Sequence, residues 1–169
     1  MVRQWHTWLG DRITSSSSVP EEVVTRELQL LIDVFGSMLG PLRRETKTIW
    51  VRVTEEYGRH AVFRGLAAGE VVEELQYLRE LLIRFLAPSI AALRPRQGMA
   101  LLLRLNRLVD KGVAMAVVGY TDALVASLLP ERDDAPPVRR TPDPAELTLA
   151  LDQIQEELTR TIAAPRPAA

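Results

Sequence analysis

Apolar residues recur along most of this chain at alternating intervals of three and four, which places them on one face of an α-helix. Three such series are clear: Val24, Leu28, Leu31, Phe35 and Met38; Leu42, Thr46, Ile49, Val53, Tyr57 and His60; and Val71, Leu75, Leu78, Leu82 and Phe85. The sequence contains no convincing strand pattern. We therefore expect an all-α protein, a helical bundle of about five main helices with one further helix towards its C-terminus.

Proline and glycine predict the ends of these helices, because glycine favours helix ends and proline cannot continue a helix. One helix carries the series from Val24 to Met38 and is ended by Gly36, Gly40 and Pro41, and further helices are predicted over about 41–65, 70–88, 99–129 and 144–163. Ser18 and Glu21 have the spacing of a capping box at the start of the first of them. Pro88 should kink or end the helix over 70–88, and residues 94–98 should form a turn.

The chain divides into three parts by composition. We expect a helical bundle over 1–129, a proline-rich linker over 130–143 and a C-terminal amphipathic helix over 144–163. The apolar face of that last helix consists of Leu147, Leu151, Ile154, Leu158 and Ile162. This helix either docks on the bundle or forms the first turns of a coiled-coil connector.

The helix predicted over 99–129 carries a stripe of very small residues at helical spacing. Its members are Gly112, Ala116, Gly119, Ala123 and Ala126. Small residues let two helix backbones approach closely, or leave room for a partner side chain or a ligand. This helix would be about 45 Å long, which is more than a small domain needs. The stripe therefore predicts a dimer seam or a ligand cavity, and we expect a homodimer.

The same helix is apolar enough to require a membrane test. Between Gly112 and Leu129 its only charged residue is Asp122, and about 18 such residues are the lower limit for a spanning helix. A central Asp opposes insertion by about 2.5–3.5 kcal/mol. A helix buried in a bundle is therefore favoured, and we expect no membrane partner.

Composition excludes several classes of function. Cysteine is absent, which removes disulfides, thiolate nucleophiles and cysteine-ligated metals. The net charge of −1 argues against a nucleic-acid partner, because phosphate contacts require a basic face. The sequence has no phosphate-binding loop, no nucleophile elbow and no histidine pair of a di-iron bundle. We expect no cofactor, no metal and no enzymatic activity. The absence of an apolar signal region near Met1 favours a cytoplasmic location.

His60 has a specific chemical alternative. Helical bundles that relay phosphate use a helical histidine, followed by a basic residue and a glycine. Here Arg64 follows His60 after four positions, one more than in that motif. A structural histidine, partly buried beside Tyr57, is favoured over a phosphoacceptor.

Spaced residues between Trp50 and Tyr120 resemble a bacterial sensor family. The residues that carry the resemblance are Trp50, Tyr57-Gly58-Arg59-His60, Arg64-Gly65, Glu73-Glu74-Leu75-Gln76-Tyr77-Leu78-Arg79, Leu105-Asn106-Arg107-Leu108-Val109-Asp110 and Tyr120. This pattern resembles the N-terminal sensor domain of Rsb-type stressosome co-antagonists, in the variant that also precedes the transmitter of some sensor histidine kinases. The resemblance covers a little under half of the chain.

The resemblance implies a dimeric, cytosolic input domain in stress or two-component signalling. Such a domain passes a signal to an output protein or to an attached kinase or regulatory module. Arg64 and Arg79 are expected to pair with Glu74 and Asp110. No phosphoacceptor box and no antagonist domain follows Leu129. We therefore expect either a fragment of a larger protein or a stand-alone relative that acts in trans.

The preferred function is thus a non-enzymatic signal-transduction domain that acts through changes of helix packing in a dimer. The candidate signalling, ligand-binding or dimer-seam residues are Trp50, Tyr57, His60, Arg64, Glu74, Arg79, Asn106, Asp110, Gly112, Ala116, Gly119 and Tyr120. One alternative is a phosphotransfer module with His60 as the acceptor. The other is a bundle that binds a small apolar ligand between the helices predicted over 70–88 and 99–129.

Overall fold

The computed structural model describes residues 19–128 and 144–164, and almost all of them are helical. The helices are α1 (Glu21–Leu39), α2 (Lys47–Phe63), α3 (Ala68–Ala91), α4 (Pro95–Leu128) and α5 (Pro144–Ala163). No strand occurs within the described ranges. The predicted all-α helical bundle is therefore confirmed.

Helix α2 lies at the centre of the bundle and contacts α1, α4 and α5, while α3 packs on α4. Its largest side chains, Trp50 and Tyr57, are buried, and the ring of Phe35 from α1 meets Trp50 edge-on at 5.8 Å between centroids. Such a geometry is favoured for aromatic pairs. The core is otherwise formed by Leu, Val and Ile side chains on the faces that the periodicity predicts.

The turn between α2 and α3 shows how the chain reverses. Gly65 adopts a φ of 76°, which a side chain would disfavour. Its N–H donates to the carbonyl of Val62, and the N–H of Leu66 donates to the carbonyl of Ala61. This pair of bonds is the Schellman motif that satisfies helix C-termini. The predicted end of the helix at Gly65 is confirmed.

Helix starts differ from several expectations. Residues 41–46 form turns, so α2 begins at Lys47 and not at Pro41. The cap of α1 is Pro20, which makes no side-chain bond, and Ser18 lies outside the described residues. The predicted turn at 94–98 is wrong, because Pro95 occupies the first helical position of α4, where its missing N–H is harmless.

Pro88 neither ends α3 nor breaks the bundle, since α3 continues to Ala91. The carbonyl group that faces the proline ring loses its intrahelical partner. This turn of α3 is exposed, so water can supply the missing hydrogen bond.

Helix α5 packs across α1 and α2. Leu147, Leu151, Ile154 and Leu158 are buried there, whereas Ile162 is exposed. Arg26 of α1 pairs with Asp152, and Arg52 of α2 pairs with Glu157. Of the two arrangements left open by the sequence, the structure has the docked one. The predicted linker over 130–143 lies outside the described residues.

Candidate functional site

Buried polar side chains are concentrated on α2 and on the sides of α1 and α3 that face it. Among the described residues, the most deeply buried ionisable side chains are those of Glu27, Tyr57, His60, Arg64 and Glu74. Burial of a charge is expensive unless another charge compensates it. These residues form two linked groups, one between α2 and α3 and the other between α1 and α2.

The first group joins Arg64, Tyr57 and Glu74. The guanidinium of Arg64 donates to both carboxylate oxygens of Glu74, at 3.1 and 2.7 Å, and Tyr57 donates to the same carboxylate at 2.5 Å. The guanidinium carbon also lies 5.0 Å from the centroid of the Tyr57 ring. Two parallel N–H bonds plus a cation–π contact fix the guanidinium in one orientation.

This geometry holds Arg64 and Glu74 as a buried ion pair. Burial, followed by the charge of Glu74, raises the pKa of Tyr57 well above its usual value, so the hydroxyl stays protonated and donates. Burial works against the charged form of Arg64, but Tyr57 and Glu74 outweigh it and raise the pKa of Arg64. The guanidinium is therefore charged at any physiological pH.

The second group joins His60 on α2 to Glu27 on α1. His60 Nδ1 lies 2.8 Å from Glu27 Oε1, and His60 Nε2 lies 3.9 Å from Glu56 Oε2. The N–H of Nδ1 is not directed at the carboxylate, so this contact is an ion pair without good hydrogen-bond geometry. Glu27 is fully buried and His60 is 1% exposed.

The charge state of His60 follows from these neighbours. Burial by itself lowers the pKa of His60, but the carboxylate of Glu27, helped by Glu56, raises it, and the net shift is upward from 6.5. Protonation of His60 compensates the buried charge of Glu27. The strength of the Glu27–His60 contact between α1 and α2 therefore depends on the protonation of His60.

Glycine brings α2 and α4 into direct contact. Gly58 lies against the backbone of Ala116, and Gly119 lies against the backbone of Glu55. Gly112 faces the ring of Trp50, whose Nε1 donates to the carbonyl of Leu108 at 3.2 Å. Helix α2 of the same chain thus contacts three residues of the predicted stripe, namely Gly112, Ala116 and Gly119.

The expectation that these three residues form a dimer seam or a ligand cavity is therefore wrong. The spacing of small residues predicts that another helix packs closely against this face, but it does not identify that helix. Ala123 is half-buried and Ala126 is exposed, so the stripe loses its cover towards the end of α4.

The remaining candidates tie α4 to the α3 side. Arg79 donates to Asp110 at 2.9 Å, and the hydroxyl of Tyr120 donates to the carbonyl of Leu66 at 2.9 Å. Asn106 is half-buried on α4. Both predicted pairs, Arg64 with Glu74 and Arg79 with Asp110, are confirmed.

Glu27 is the residue that sequence reasoning missed. It lies three residues after Val24 and four before Leu31, on the apolar face of α1. A carboxylate at such a position demands a buried cation, and this signal could have identified it.

The two buried groups connect helices to one another, and few of their reactive side chains are accessible to solvent. His60, Glu74 and Tyr57 are almost fully shielded, so none can reach a substrate in this conformation. No group of three or more potential metal ligands occurs among the described residues. Within the same ranges, α4 alone is long and apolar enough to cross a membrane by length and composition. Of the most apolar stretch of α4, 22% is buried. The helix was expected to be buried in the bundle, but other helices cover it on one side only.

Comparison with protein-family profiles, with curated protein sequences and with solved structures gives no match to this chain.

Proposed function

We propose that this chain is a non-enzymatic sensor or regulatory domain of bacterial signal transduction that works as a cytoplasmic homodimer. It would pass a change of helix packing to an output protein or to an attached kinase or regulatory module. The observation that carries the proposal is an exposed, charge-free stripe on α4. The resemblance of residues 50–120 to a stressosome sensor domain supports the same class of function.

The stripe lies on the side of α4 opposite its contact with α2. It consists of Ala114, Val118, Thr121, Val125 and Leu128, all exposed and spaced by four, three, four and three. Such spacing is the seam of a coiled coil. A two-fold axis places the same patch on both copies. Its five positions carry no charge, and the exposed Lys111 and Asp122 beside it have opposite signs, so two copies of the patch do not repel each other. A second copy of α4 is therefore its proposed occupant.

The two buried groups suggest how a signal would change helix packing. Arg64 and Glu74 fix α3 to the end of α2, whereas Glu27 and His60 hold α1 to α2 through a contact with poor hydrogen-bond geometry. Of these two buried groups, the Glu27–His60 pair is therefore the easier to rearrange. Helix α5 rests on both α1 and α2, so a movement of α1 would be transmitted to it.

Light scattering coupled to gel filtration, over a range of concentrations, tests the dimer. We expect twice the chain mass for the wild type and the mass of one chain for Val118→Glu combined with Val125→Glu. Leu149→Glu, at an exposed apolar position of α5, is the matched control and should leave the dimer intact. A wild type that stays monomeric at every concentration would refute the homodimer.

The two alternative functions are less well supported. A phosphoacceptor histidine must be accessible to its kinase, and His60 is buried against Glu27. Acid-labile phosphate that disappears in His60→Gln would restore that alternative. An apolar ligand was expected between α3 and α4, and these two helices pack on each other, while the small residues of α4 lie against α2. A small molecule that co-purifies with the chain would favour the ligand-binding alternative.

A further inference from the structure

The hairpin formed by the end of α3 and the start of α4 extends beyond the packed core. We define residues 83–104 as the arm. Gly98 is the only buried residue of the arm, whereas Leu82, just before the arm, and Leu105, just after it, both belong to the core. The arm is therefore a two-helix projection in which Ile83 and Leu86, at its base on α3, still pack against the core.

Large apolar side chains are exposed on the arm. Phe85 is 67% exposed, Met99 57%, Leu103 51% and Leu93 40%. Single exposed apolar residues are ordinary, but Met99 and Leu103 lie one turn apart on α4, and Phe85 and Leu93 add exposed apolar side chains to the same short hairpin, which favours an interaction surface. An interaction surface would also explain why the apolar face of α3 continues to Phe85, where no helix of the bundle covers it.

The charges of the arm all have one sign. Arg84, Arg94, Arg96 and Arg104 are exposed, and no Asp or Glu occurs over residues 81–109. Arg84 alone has an acidic neighbour, Glu80, one turn earlier in α3 at 3.3 Å. The whole chain carries a net charge of −1, so the rest of the molecule is acidic and the arm is a basic exception.

Basic and apolar residues share one face of α4 within this region. Arg96, Met99, Leu103 and Arg107 follow each other by three, four and four residues, and all are exposed. Positions at this spacing lie on the same side of a helix. The face thus has apolar residues in the middle and an arginine at each end.

Three kinds of partner can be compared by charge and polarity. A second arm is disfavoured, since two surfaces that carry only positive charge repel each other. A nucleic acid would pair with the arginines but leave Met99 and Leu103 without apolar contacts. An anionic lipid surface offers phosphates to the arginines and an acyl boundary to the apolar side chains.

We propose that the arm is a peripheral docking element for anionic lipid, bound through its arginines and inserted through Phe85, Leu93, Met99 and Leu103. This differs from the expectation of no membrane partner. The arm lies away from the Ala114–Leu128 stripe, so the proposal does not depend on the dimer. The binding is to the surface, because arginines at both ends of the apolar patch limit the depth of insertion.

Co-sedimentation of the full chain with vesicles tests this proposal. We expect binding to phosphatidylcholine vesicles that contain phosphatidylglycerol, none to pure phosphatidylcholine, and release at high salt, which screens the charges. Each arginine near an anionic surface contributes about a fivefold change in partition. Arg94→Gln combined with Arg96→Gln should therefore weaken binding by about 25-fold, and Phe85→Ser should weaken it as well.

Matched controls lie outside the arm, in the turn before α2 and on α5. Arg43→Gln combined with Arg44→Gln removes two exposed arginines from the turn before α2, and Leu149→Ser removes an exposed apolar residue from α5. Neither should change vesicle binding. All of these positions are exposed, so circular dichroism should report an unchanged fold.

Four results would overturn the proposal. The first is no binding to anionic vesicles, and the second is binding that the arm variants do not weaken. Retention on the vesicles at high salt would mean insertion of α4 instead of surface docking. Binding to soluble polyglutamate as tight as to anionic vesicles would show recognition of acidity alone, and would favour an acidic protein partner over lipid.

Discussion

Gly58 of α2 lies directly against the backbone carbonyl of Ala116 in α4, so that the two helices touch through their main chains. A methyl group at position 58 would overlap both the carbonyl oxygen and the carbonyl carbon of Ala116. These atoms belong to a helix backbone and cannot rotate aside as a long side chain would. The contact therefore sets the distance between the two helices of the bundle that pack most closely.

Gly58→Ala should be strongly destabilising for this reason. Overpacking of a core typically costs about 1–3 kcal/mol, and a backbone neighbour places this site at the upper end. Gly36→Ala is the matched control, because nothing lies within 4 Å of its added methyl group. Alanine is the better helix former by about 0.5–1 kcal/mol, so the control should stabilise. Urea unfolding measures the free energy of unfolding of both variants, and equal stability of the two would contradict the close contact between α2 and α4.

Removal of one partner of the Arg64–Glu74 pair should be costly. Arg64→Met leaves the carboxylate of Glu74 buried without its cation, and such a loss amounts to about 3–5 kcal/mol. The double variant Arg64→Met with Glu74→Leu replaces the pair by apolar groups and should recover much of that loss. Thermal or urea unfolding of the single and double variants measures the difference. A double variant that is no more stable than Arg64→Met would show that the unpaired carboxylate of Glu74 is not the cause of the loss.

The stability of the chain should depend on pH through His60. Because the folded pKa of His60 is raised, its contribution is fully present below the unfolded value of 6.5 and is lost as pH rises through the folded pKa. Glu27, Glu56 and Arg64 are the charged groups that act on it. We expect the free energy of unfolding to fall above pH 6.5, with a slope of at most about 1.4 kcal/mol per pH unit.

His60→Gln and Glu27→Gln provide the controls for that measurement. His60→Gln has no imidazole and should lose this part of the pH dependence. Glu27→Gln removes the charge that raises the pKa, so the decline should shift to lower pH or disappear. An unchanged pH profile in both variants would exclude His60 as the titrating group.

Docking of α5 should depend on its buried face. Ile154→Ala removes a buried side chain and should cost about 2–5 kcal/mol, whereas Ile162→Ala, at an exposed site, should change stability by no more than about 0.5 kcal/mol. The pair of Arg26 and Asp152 is half exposed and should contribute less than about 1 kcal/mol. Hydrogen exchange over residues 144–163 reports docking, and equal exchange in both isoleucine variants would contradict it.

Periodicity predicted the helices and most of the core, because each helix buries one face and the interval of its apolar residues is a local property. Charge complementarity also predicted the Arg64–Glu74 and Arg79–Asp110 pairs. The Glu27–His60 contact was out of reach, since it depends on the register of α1 against α2, and no spacing within one helix encodes that register.

Glycine and proline predicted the helix boundaries at Gly65 and Pro144, but elsewhere they were misleading. Gly58 looks like a weak point of a helix when its neighbours in sequence alone are considered, yet it is the site where α4 touches α2. Pro95 and Gly98 have the composition of a turn, but both lie in the first turn of α4. In each case a contact or a helix-end position determined the outcome.

Helix α5 covers the groove between α1 and α2 while remaining joined to α4 by residues 129–143. A segment attached in this way is a tethered ligand, and a short tether gives an effective concentration of about millimolar. A protein that offers a similar Leu, Leu, Ile and Leu face must compete with that local concentration. Weak binders are consequently excluded at ordinary cellular levels, and the groove opens only to a partner whose affinity exceeds this threshold.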